Sequence, residues 1–207
     1  AIQNGFSALI TTLQSDGTAL PLYFSLVYGL SSLWNNEILL RMLSVFFSIG
    51  TLIIIFILSE KLFGTSTAYR SAIVFSLIPF AVIYAQLLRP YALLMLLFSL
   101  VIYLLVEFER TKNNRILIWL TIVHGLLLFT HYQGFIILAS EAIYILLRWK
   151  EHRFKPLTVL SFGVPVLCFL PWLATTIAYI TTKSGAFWVK VGLDTVPYLF
   201  YKFATGM

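Results

Sequence analysis

Charged residues are scarce in this sequence. They make up 11% of its 207 residues, against about 25% in soluble domains, while 60% are hydrophobic and the mean hydropathy is +0.93. This composition excludes a soluble globular core and indicates a polytopic membrane protein. The net charge of +6 is no sign of a nucleic-acid partner, because Lys and Arg in membrane proteins first report topology.

Cysteine and clustered metal ligands are also nearly missing. The single cysteine, Cys168, excludes an intrachain disulfide and a cysteine metal site, and its apolar surroundings predict a small buried core residue. The three histidines, His124, His131 and His152, lie on different segments without the spacing of metal ligands. Neither a metal nor another cofactor is predicted.

Long apolar runs are abundant, and they predict an all-α bundle of about seven transmembrane spans, since each span needs about 20 apolar residues. The bundle covers residues 18–180, after an external half-loop at 1–17 and before an external amphipathic segment at 181–207. The predicted spans are 18–34, 38–58, 68–87, 90–108, 115–131, 133–149 and 157–180.

The basic residues predict the orientation of this bundle. Nine of the fourteen lie in the connections 59–70, 109–115 and 148–155, so these connections are predicted to be cytoplasmic. The chain is then integral to the cytoplasmic (inner) membrane, multi-pass, with both ends of the given stretch external or periplasmic. We therefore expect further elements of the protein before and after it.

Arg89 is the only charge between Ser71 and Val106. A charge at the bilayer centre costs roughly 2.5–3.5 kcal/mol on insertion scales, so Arg89 is expected at a surface or in a wet site. Pro90 disfavours helix at Arg89 and begins the next helix well, which predicts a tight external turn.

Other polar residues are expected on the same face. An arginine there suits the phosphate of a lipid, which it can bind bidentately, although interfacial anchoring of Arg89 and the tyrosines is the simpler alternative. The polar set predicted at the external turns is Asp16, Gln86, Arg89, Tyr91, His131, Tyr132 and Gln133.

Two polar residues, His124 and Glu141, are predicted inside the membrane. In an antiparallel hairpin centred near residue 132 they have nearly the same depth, so they could form a buried pair. A structural hydrogen bond between helices, a proton-handling pair and an axial ligand to a pigment or haem are the interpretations left open.

Four motifs, taken in order, resemble the GT-C class of membrane glycosyltransferases. "DGTALPLYF" (16–24) resembles that class's D-x-H-P-P-L-Y-Y segment, and "NEILLR" (36–41) resembles its S-E-F-A-L-R. "AQLLRPYALL" (85–94) resembles S-Q-E-A-R-x-Y-A-L, and "FTHYQGFIILASE" (129–141) resembles Y-T-H-Y-F-x-L-L-V-L-L-A-Q. The likeness is to the bacterial branch of glycosyltransferase family 39, similar to dolichyl-phosphate-mannose–protein mannosyltransferases and aminoarabinose transferases.

The resemblance implies a GT-C-like fold and sugar transfer from a polyprenyl-phosphate donor at the external membrane face, in the cell envelope. Carried over by motif, Arg89, Gln86, His131 and Tyr132 would bind the donor phosphate or substrate. Tyr91, at the same external turn as Arg89, is a further candidate for this role. The family's catalytic Asp would precede Ala1, so the stretch resembles a fragment lacking the N-terminal span and the C-terminal part.

The motifs also indicate one candidate catalytic residue, and the sequence differs from the family's motifs at two positions. Asp16 matches the acid of the second half of the external loop. Leu87 stands where the external-turn motif usually has Glu, and Leu20 replaces a proline.

Two functions from other classes remain open. A non-catalytic subunit of a larger membrane complex could keep the bundle, contact lipids or membrane-protein partners, and ligate a pigment through His124 or His131. A transporter or flippase is supported only by His124 and Glu141, since transporters bind their substrates near the midplane.

Overall fold

A computed structural model describes residues 5–17, 19–33, 36–148 and 156–182. Within these ranges the chain forms nine α-helices and no strand, which confirms the all-α class. The helices are α1 (Phe6–Asp16), α2 (Pro21–Leu33), α3 (Glu37–Phe63), α4 (Thr65–Leu77), α5 (Pro79–Gln86), α6 (Tyr91–Thr111), α7 (Asn114–Thr130), α8 (Gln133–Leu147) and α9 (Pro156–Thr182).

Two predicted segments, 1–17 and 181–207, flank the predicted bundle. The predicted half-loop at 1–17 contains the helix α1. The predicted amphipathic segment 181–207 lies outside the described residues except for its first two positions, and so does His152.

The helices differ in whether they are long enough to cross a membrane. By length and composition α3, α6 and α9 qualify, and α4 with α5 makes a fourth if the bent pair is one span. Helices α7 and α8, with 17 and 15 residues, are shorter than the roughly 20 that cross the hydrocarbon core. The chain is an integral membrane bundle, but the predicted count of about seven spans is not confirmed.

The predicted span at 68–87 is not one straight helix, because the chain bends by 61° between α4 and α5. Ile78 lies between them in an extended conformation, with φ −66° and ψ 118°, since a proline disfavours helix at the residue before it. Pro79 lacks the N–H that would continue the hydrogen bonds of α4, and it begins α5 instead.

Residues 87–90 form a turn between α5 and α6. Leu87 leaves α5 in an extended conformation with ψ 137°, and its carbonyl accepts from the N–H of Arg89 at 2.9 Å. Pro90 precedes α6, and its carbonyl accepts from the N–H of Leu94 at 2.9 Å. Arg89 therefore lies between two helices rather than inside one.

Only His131 and Tyr132 join α7 to α8. The carbonyl of His131 accepts from the N–H of Gly134 at 2.8 Å, which closes the turn. A Cβ added at Gly134 would lie 3.0 Å from the carbonyl oxygen of Leu127. Glycine is needed there because the two helices approach so closely.

The bundle's core contains residues from α2, α6, α7 and α9. Tyr23, Val101, Leu127, Leu128 and Phe169 are all 0% exposed. Because lipid tails are as apolar as these side chains, close packing and hydrogen bonds between helices hold such a core together.

The buried side of α9 follows a helical stripe, and Cys168 lies outside it. The prediction of a buried core cysteine is wrong, since Cys168 is exposed. In a membrane helix, apolar neighbours are compatible with a lipid-facing position as well as with the core. The stripe consists of Ser161, Pro165, Phe169, Trp172 and Thr176.

The turns gather at two ends of the bundle, which we name by their residues. The pocket end comprises residues 17, 19, 20, 86–91 and 130–133, and the basic end comprises residues 60–65 and 107–115.

Candidate functional site

A cavity of about 330 Å³ opens at the pocket end. It brings together three of the polar residues predicted from the sequence, Arg89, Tyr91 and His131. The wall consists of Leu13, Ala19, Leu20, Phe24, Arg89, Pro90, Tyr91, Thr130 and His131.

Arg89 provides a permanent positive charge in this wall. Its side chain is exposed and, in the described part of the chain, makes no hydrogen bond or ion pair with protein. Leu87, at the position where the related motif has Glu, supplies no carboxylate to it. The guanidinium therefore has its five N–H donors available to an anion in the cavity.

Two side chains of α3 hold the backbone that carries Arg89. Arg41 donates from Nη1 to the carbonyl of Gln86 at 2.8 Å, and Ser44 donates from Oγ to the carbonyl of Leu87 at 2.8 Å. Since Arg41 and Ser44 are three residues apart, they lie on the same face of α3.

Both holding residues are themselves held. Glu37 Oε1 accepts from Arg41 Nε at 3.0 Å and from Nη2 at 2.6 Å. Tyr23 Oη lies 3.0 Å from Ser44 Oγ, and because the hydroxyl hydrogen of Ser44 goes to Leu87, Tyr23 is the donor. Tyr23 and Ser44 are both 0% exposed.

Aromatic rings continue the wall away from Arg89. The ring of Tyr91 lies 4.6 Å from that of Tyr84 in an edge-on contact and 5.6 Å from the imidazole of His131. Phe80 extends the row, with its ring 4.3 Å from that of Tyr84. The contacts fix the plane of Tyr91 on one side of the cavity.

His131 is a neutral member of the wall near pH 7. Burial lowers its pKa from the ordinary value of 6.5, because desolvation penalises the imidazolium. Its Nδ1 lies 3.2 Å from the N–H of Gln133 and accepts from it, so the neutral ring carries its hydrogen on Nε2. The charge of the cavity wall near neutral pH is therefore that of Arg89.

Tyr132 and Gln86 do not line this cavity. The hydroxyl of Tyr132 donates to the carbonyl of Gly17 at 2.9 Å and lies 2.9 Å from Thr176 Oγ1. Gln86 meets α3 through its carbonyl, and its side chain is exposed. Asp16 is the last residue of α1, directly before Gly17.

A second cavity, of about 340 Å³, shares Tyr91 with the first. Apart from Gln133 and the hydroxyl of Tyr91, its wall is made of apolar side chains. The lining residues are Phe80, Tyr91, Leu94, Met95, Phe98, Gln133, Ile136 and Ile137.

His124 and Glu141 are in contact inside the bundle. His124 Nε2 lies 2.9 Å from Glu141 Oε2, and Nδ1 lies 3.0 Å from the carbonyl oxygen of Ser161 on α9. His124 is 0% and Glu141 7% exposed. Because both ring nitrogens have protein partners, neither is free to ligate a pigment or haem.

The described ranges contain no group of three His, Cys, Asp or Glu side chains that could hold a metal ion.

Sequence reasoning overlooked the residues that position this site. Arg41 could have been noticed as a cation one turn after Glu37, which favours an ion pair. Ser161 had a signal as well, since Pro165 follows it by four residues and cannot donate to its carbonyl. The sequence carries no signal for the roles of Ser44 and Thr176, because a serine or threonine in an apolar helix usually bonds within its own helix.

Comparison with known proteins gives one result that covers most of the chain. A family model described as "Dolichyl-phosphate-mannose-protein mannosyltransferase" matches residues 7–174. That range includes both cavities, Arg89 and the His124–Glu141 pair. No curated protein and no solved structure matches the chain.

Proposed function

This chain belongs to the dolichyl-phosphate-mannose-protein mannosyltransferase family, a family of membrane glycosyltransferases, and on that premise we propose that it binds a polyprenyl-phosphate sugar with the phosphate against Arg89. The sugar is transferred to an acceptor at the external face of the cytoplasmic membrane. The observation that carries this proposal is the exposed Arg89 side chain in the cavity wall, with no protein partner in the described residues.

The polar side chains of the first cavity support binding of the donor phosphate there. Arg89 can bind two phosphate oxygens at once through its planar guanidinium, which a lysine cannot do in the same geometry. The neutral ring of His131 adds an Nε2–H that can donate a further hydrogen bond. Tyr91 lines this cavity and the second one, with its ring 5.6 Å from that of His131.

The second cavity supports a lipid tail next to that phosphate. Its mostly apolar wall suits the isoprenoid chain of the donor, because an isoprenoid chain is a hydrocarbon without hydrogen-bonding groups. Tyr91 belongs to both walls, so a molecule with a phosphate head and an isoprenoid tail could occupy both cavities at once.

The same placement suits the chemistry of transfer. The bond from the anomeric carbon to the donor phosphate breaks, and a bond from that carbon to an acceptor oxygen or nitrogen forms. Negative charge grows on the departing phosphate, so a guanidinium held beside it stabilises the transition state more than the ground state. A carboxylate base takes the acceptor proton. Asp16 is a candidate for this role because its α1 terminus adjoins the cavity residues Ala19 and Leu20.

Two further residues have supporting roles in this proposal. Tyr132 acts by holding the Gly17 carbonyl, and thus the segment after Asp16, rather than by touching phosphate. The exposed side chain of Gln86 is available to the sugar or the headgroup.

The external orientation rests on the basic residues. The positive-inside rule assigns the basic end to the cytoplasm. That end contains four basic residues, Lys61, Arg110, Lys112 and Arg115. The pocket end, at the opposite ends of the same helices, then faces the periplasm.

Sugar transfer by the full-length protein in liposomes tests the proposal. With a polyprenyl-phosphate sugar as donor, Arg89→Ala should lower kcat/KM roughly 100-fold, the size of effect seen when one donor to a developing anion is lost. Arg110→Ala is the matched control, because it removes an arginine from the other end, and it should stay within about twofold. Absence of turnover by the wild type, or equal effects of the two variants, would overturn the proposal.

A further inference from the structure

Helix α9 contains a carbonyl that its own backbone cannot satisfy. In an α-helix the carbonyl of residue i accepts from the N–H of residue i+4, and four residues after Ser161 stands Pro165, which has no N–H. The side chains of Ser161 and Pro165 both belong to the buried stripe of α9. A buried carbonyl without a partner is costly, so this position needs a donor from outside the helix.

His124 on α7 is that donor. Its Nδ1 lies 3.0 Å from the Ser161 carbonyl, and since a carbonyl can only accept, Nδ1 carries a hydrogen. This assigns the tautomer of a neutral ring. Nε2 must then receive the hydrogen of a protonated Glu141, or share it as an imidazolium beside a carboxylate.

Glu141 on α8 fixes the ring that makes this bond. Its Oε2 lies 2.9 Å from Nε2, while Oε1 is buried and has no hydrogen-bond partner among the described residues. The only hydrogen bond of the Glu141 carboxyl group in the described structure is therefore the one to His124. Three helices meet at one residue, with α8 and α9 each bonded to the ring on α7.

The same α9 also packs against residues that adjoin the cavity wall in sequence. Phe169 is 0% exposed and packs edge-on against Phe129 and Phe135, with ring centroids 5.3 Å and 5.1 Å apart. Farther along, Thr176 Oγ1 lies 2.9 Å from Tyr132 Oη, which holds the Gly17 carbonyl. Helix α9 thus connects the His124 contact to Gly17, the residue after α1.

We infer that His124 and Glu141 are a positioning couple: His124 supplies the hydrogen bond that Pro165 withholds from Ser161, and Glu141 orients the ring. Together they hold α9 where Thr176 and Tyr132 fix Gly17, which is followed by the cavity residues Ala19 and Leu20. The part that concerns catalysis rests on the proposed function. The part that concerns the Ser161 carbonyl does not.

A rescue experiment on the full-length protein separates this role from general packing. The double variant His124→Leu/Glu141→Leu removes the pair as a whole and leaves only the Ser161 carbonyl unsatisfied. The folding equilibrium should fall roughly 10-fold, the usual effect of one buried unsatisfied group. Adding Pro165→Ala supplies an N–H at the right position, so most of that loss should return.

Pro171→Ala is the matched control for this rescue. Pro171 lies in the same helix but four residues after Leu167, so its replacement cannot satisfy Ser161. In the His124→Leu/Glu141→Leu background, Pro171→Ala should change the folding equilibrium no more than it does in the wild type. Equal rescue by both substitutions, or none by Pro165→Ala, would overturn the assignment of His124 to the Ser161 carbonyl.

Turnover then tests the positioning. In the triple variant the Ser161 carbonyl is satisfied within α9, but α9 is no longer bonded to α7, so kcat should stay at least about threefold low although stability has returned. The conservative variant Glu141→Gln can still donate to Nε2 and should retain most of kcat. Full recovery of kcat with stability would contradict positioning. If the wild type shows no turnover, only the proposed function fails, and the rescue of stability still tests the contact.

Discussion

The two ends of the bundle differ in whether their positively charged side chains have partners in the protein. At the basic end the ammonium of Lys61 forms an ion pair with Glu107, and Arg110 donates to the Lys61 carbonyl at 3.1 Å. Lys112 Nζ lies 2.8 Å from Glu109 Oε2. The two contacts of Lys61 join the ends of α3 and α6, and the Lys112–Glu109 pair lies at the end of α6. At the pocket end, the contacts between helices are made by Arg41 and by the neutral hydroxyls of Ser44 and Tyr23.

Arg89 shows what this difference means. Arg41 and Ser44 hold the backbone of Gln86 and Leu87, just before Arg89, yet the described residues leave its guanidinium without a partner. A charge that stabilises the fold is found with a protein partner, as Arg41 is with Glu37. A charge that is positioned but unpaired, beside a cavity, is available to a ligand.

Charge reversal at each end should give the largest contrast. Arg89→Glu removes the donors and places a negative charge against the phosphate, so polyprenyl-phosphate affinity should fall at least about 100-fold, since each charge-assisted hydrogen bond contributes about 1.5–3 kcal/mol. Lys112→Glu at the basic end should leave affinity within about twofold. Titration of both purified variants with polyprenyl phosphate measures this, and similar losses would contradict the distinction between the ends.

Loss of the Ser44 hydroxyl should affect stability next most strongly. Ser44→Ala leaves the buried Tyr23 hydroxyl without its acceptor, at a cost of about 1–3 kcal/mol. It also removes one of the two hydrogen bonds to the Leu87 carbonyl, which keeps the bond from the Arg89 N–H. Ser48→Ala, one turn along α3, should cost less than about 0.5 kcal/mol, as is usual away from such networks. Denaturant titration compares the two, and equal costs would mean that Ser44 does not support the turn.

A glycine pair separates the tight turn of the pocket end from an open helix. Gly134→Ala forces a Cβ to 3.0 Å from a backbone oxygen of Leu127, and overpacking of this kind costs about 1–3 kcal/mol. Gly125→Ala meets open space within α7 and should stabilise the protein by up to about 1 kcal/mol, because alanine favours helix. Thermal unfolding in detergent would contradict this packing if the two shifts had the same sign.

The smallest effect expected is a pH dependence from His131. Burial lowers its pKa in the folded protein, so the unfolded chain binds the proton more readily, and stability should fall as pH drops from 7 towards 5. Above pH 7 the contribution is constant, because the ring is neutral in both states. His131→Gln should flatten the decline, and an unchanged profile would assign the pH dependence to other groups.

Several elements were predictable because their cause is local in sequence. Pro90 determines where the apolar run around Arg89 is interrupted, and the bounds of α7 and α8 follow from the polar turn at His131. The depth of His124 and Glu141 follows from counting residues away from that turn. Their contact at 2.9 Å is what the hairpin symmetry indicated.

Other elements depend on contacts between distant segments, which apolar periodicity does not encode. The pairing of Ser44 with Leu87 spans 43 residues, and that of Tyr132 with Gly17 spans 115. The motif therefore places Tyr132 at the substrate, whereas its hydroxyl bonds to the Gly17 carbonyl. Hydropathy also cannot distinguish a lipid-facing Cys168 from a core one, and it passes over the break at Pro79.

Binding of two lipids that differ only in the phosphate tests the central statement about Arg89 most directly. The wild-type protein should prefer polyprenyl phosphate to the matching polyprenol by at least about tenfold, the equivalent of 1.4 kcal/mol. In Arg89→Ala that preference should fall to within about twofold, while polyprenol affinity is unchanged. A preference for the phosphate that persists undiminished in Arg89→Ala would contradict the account.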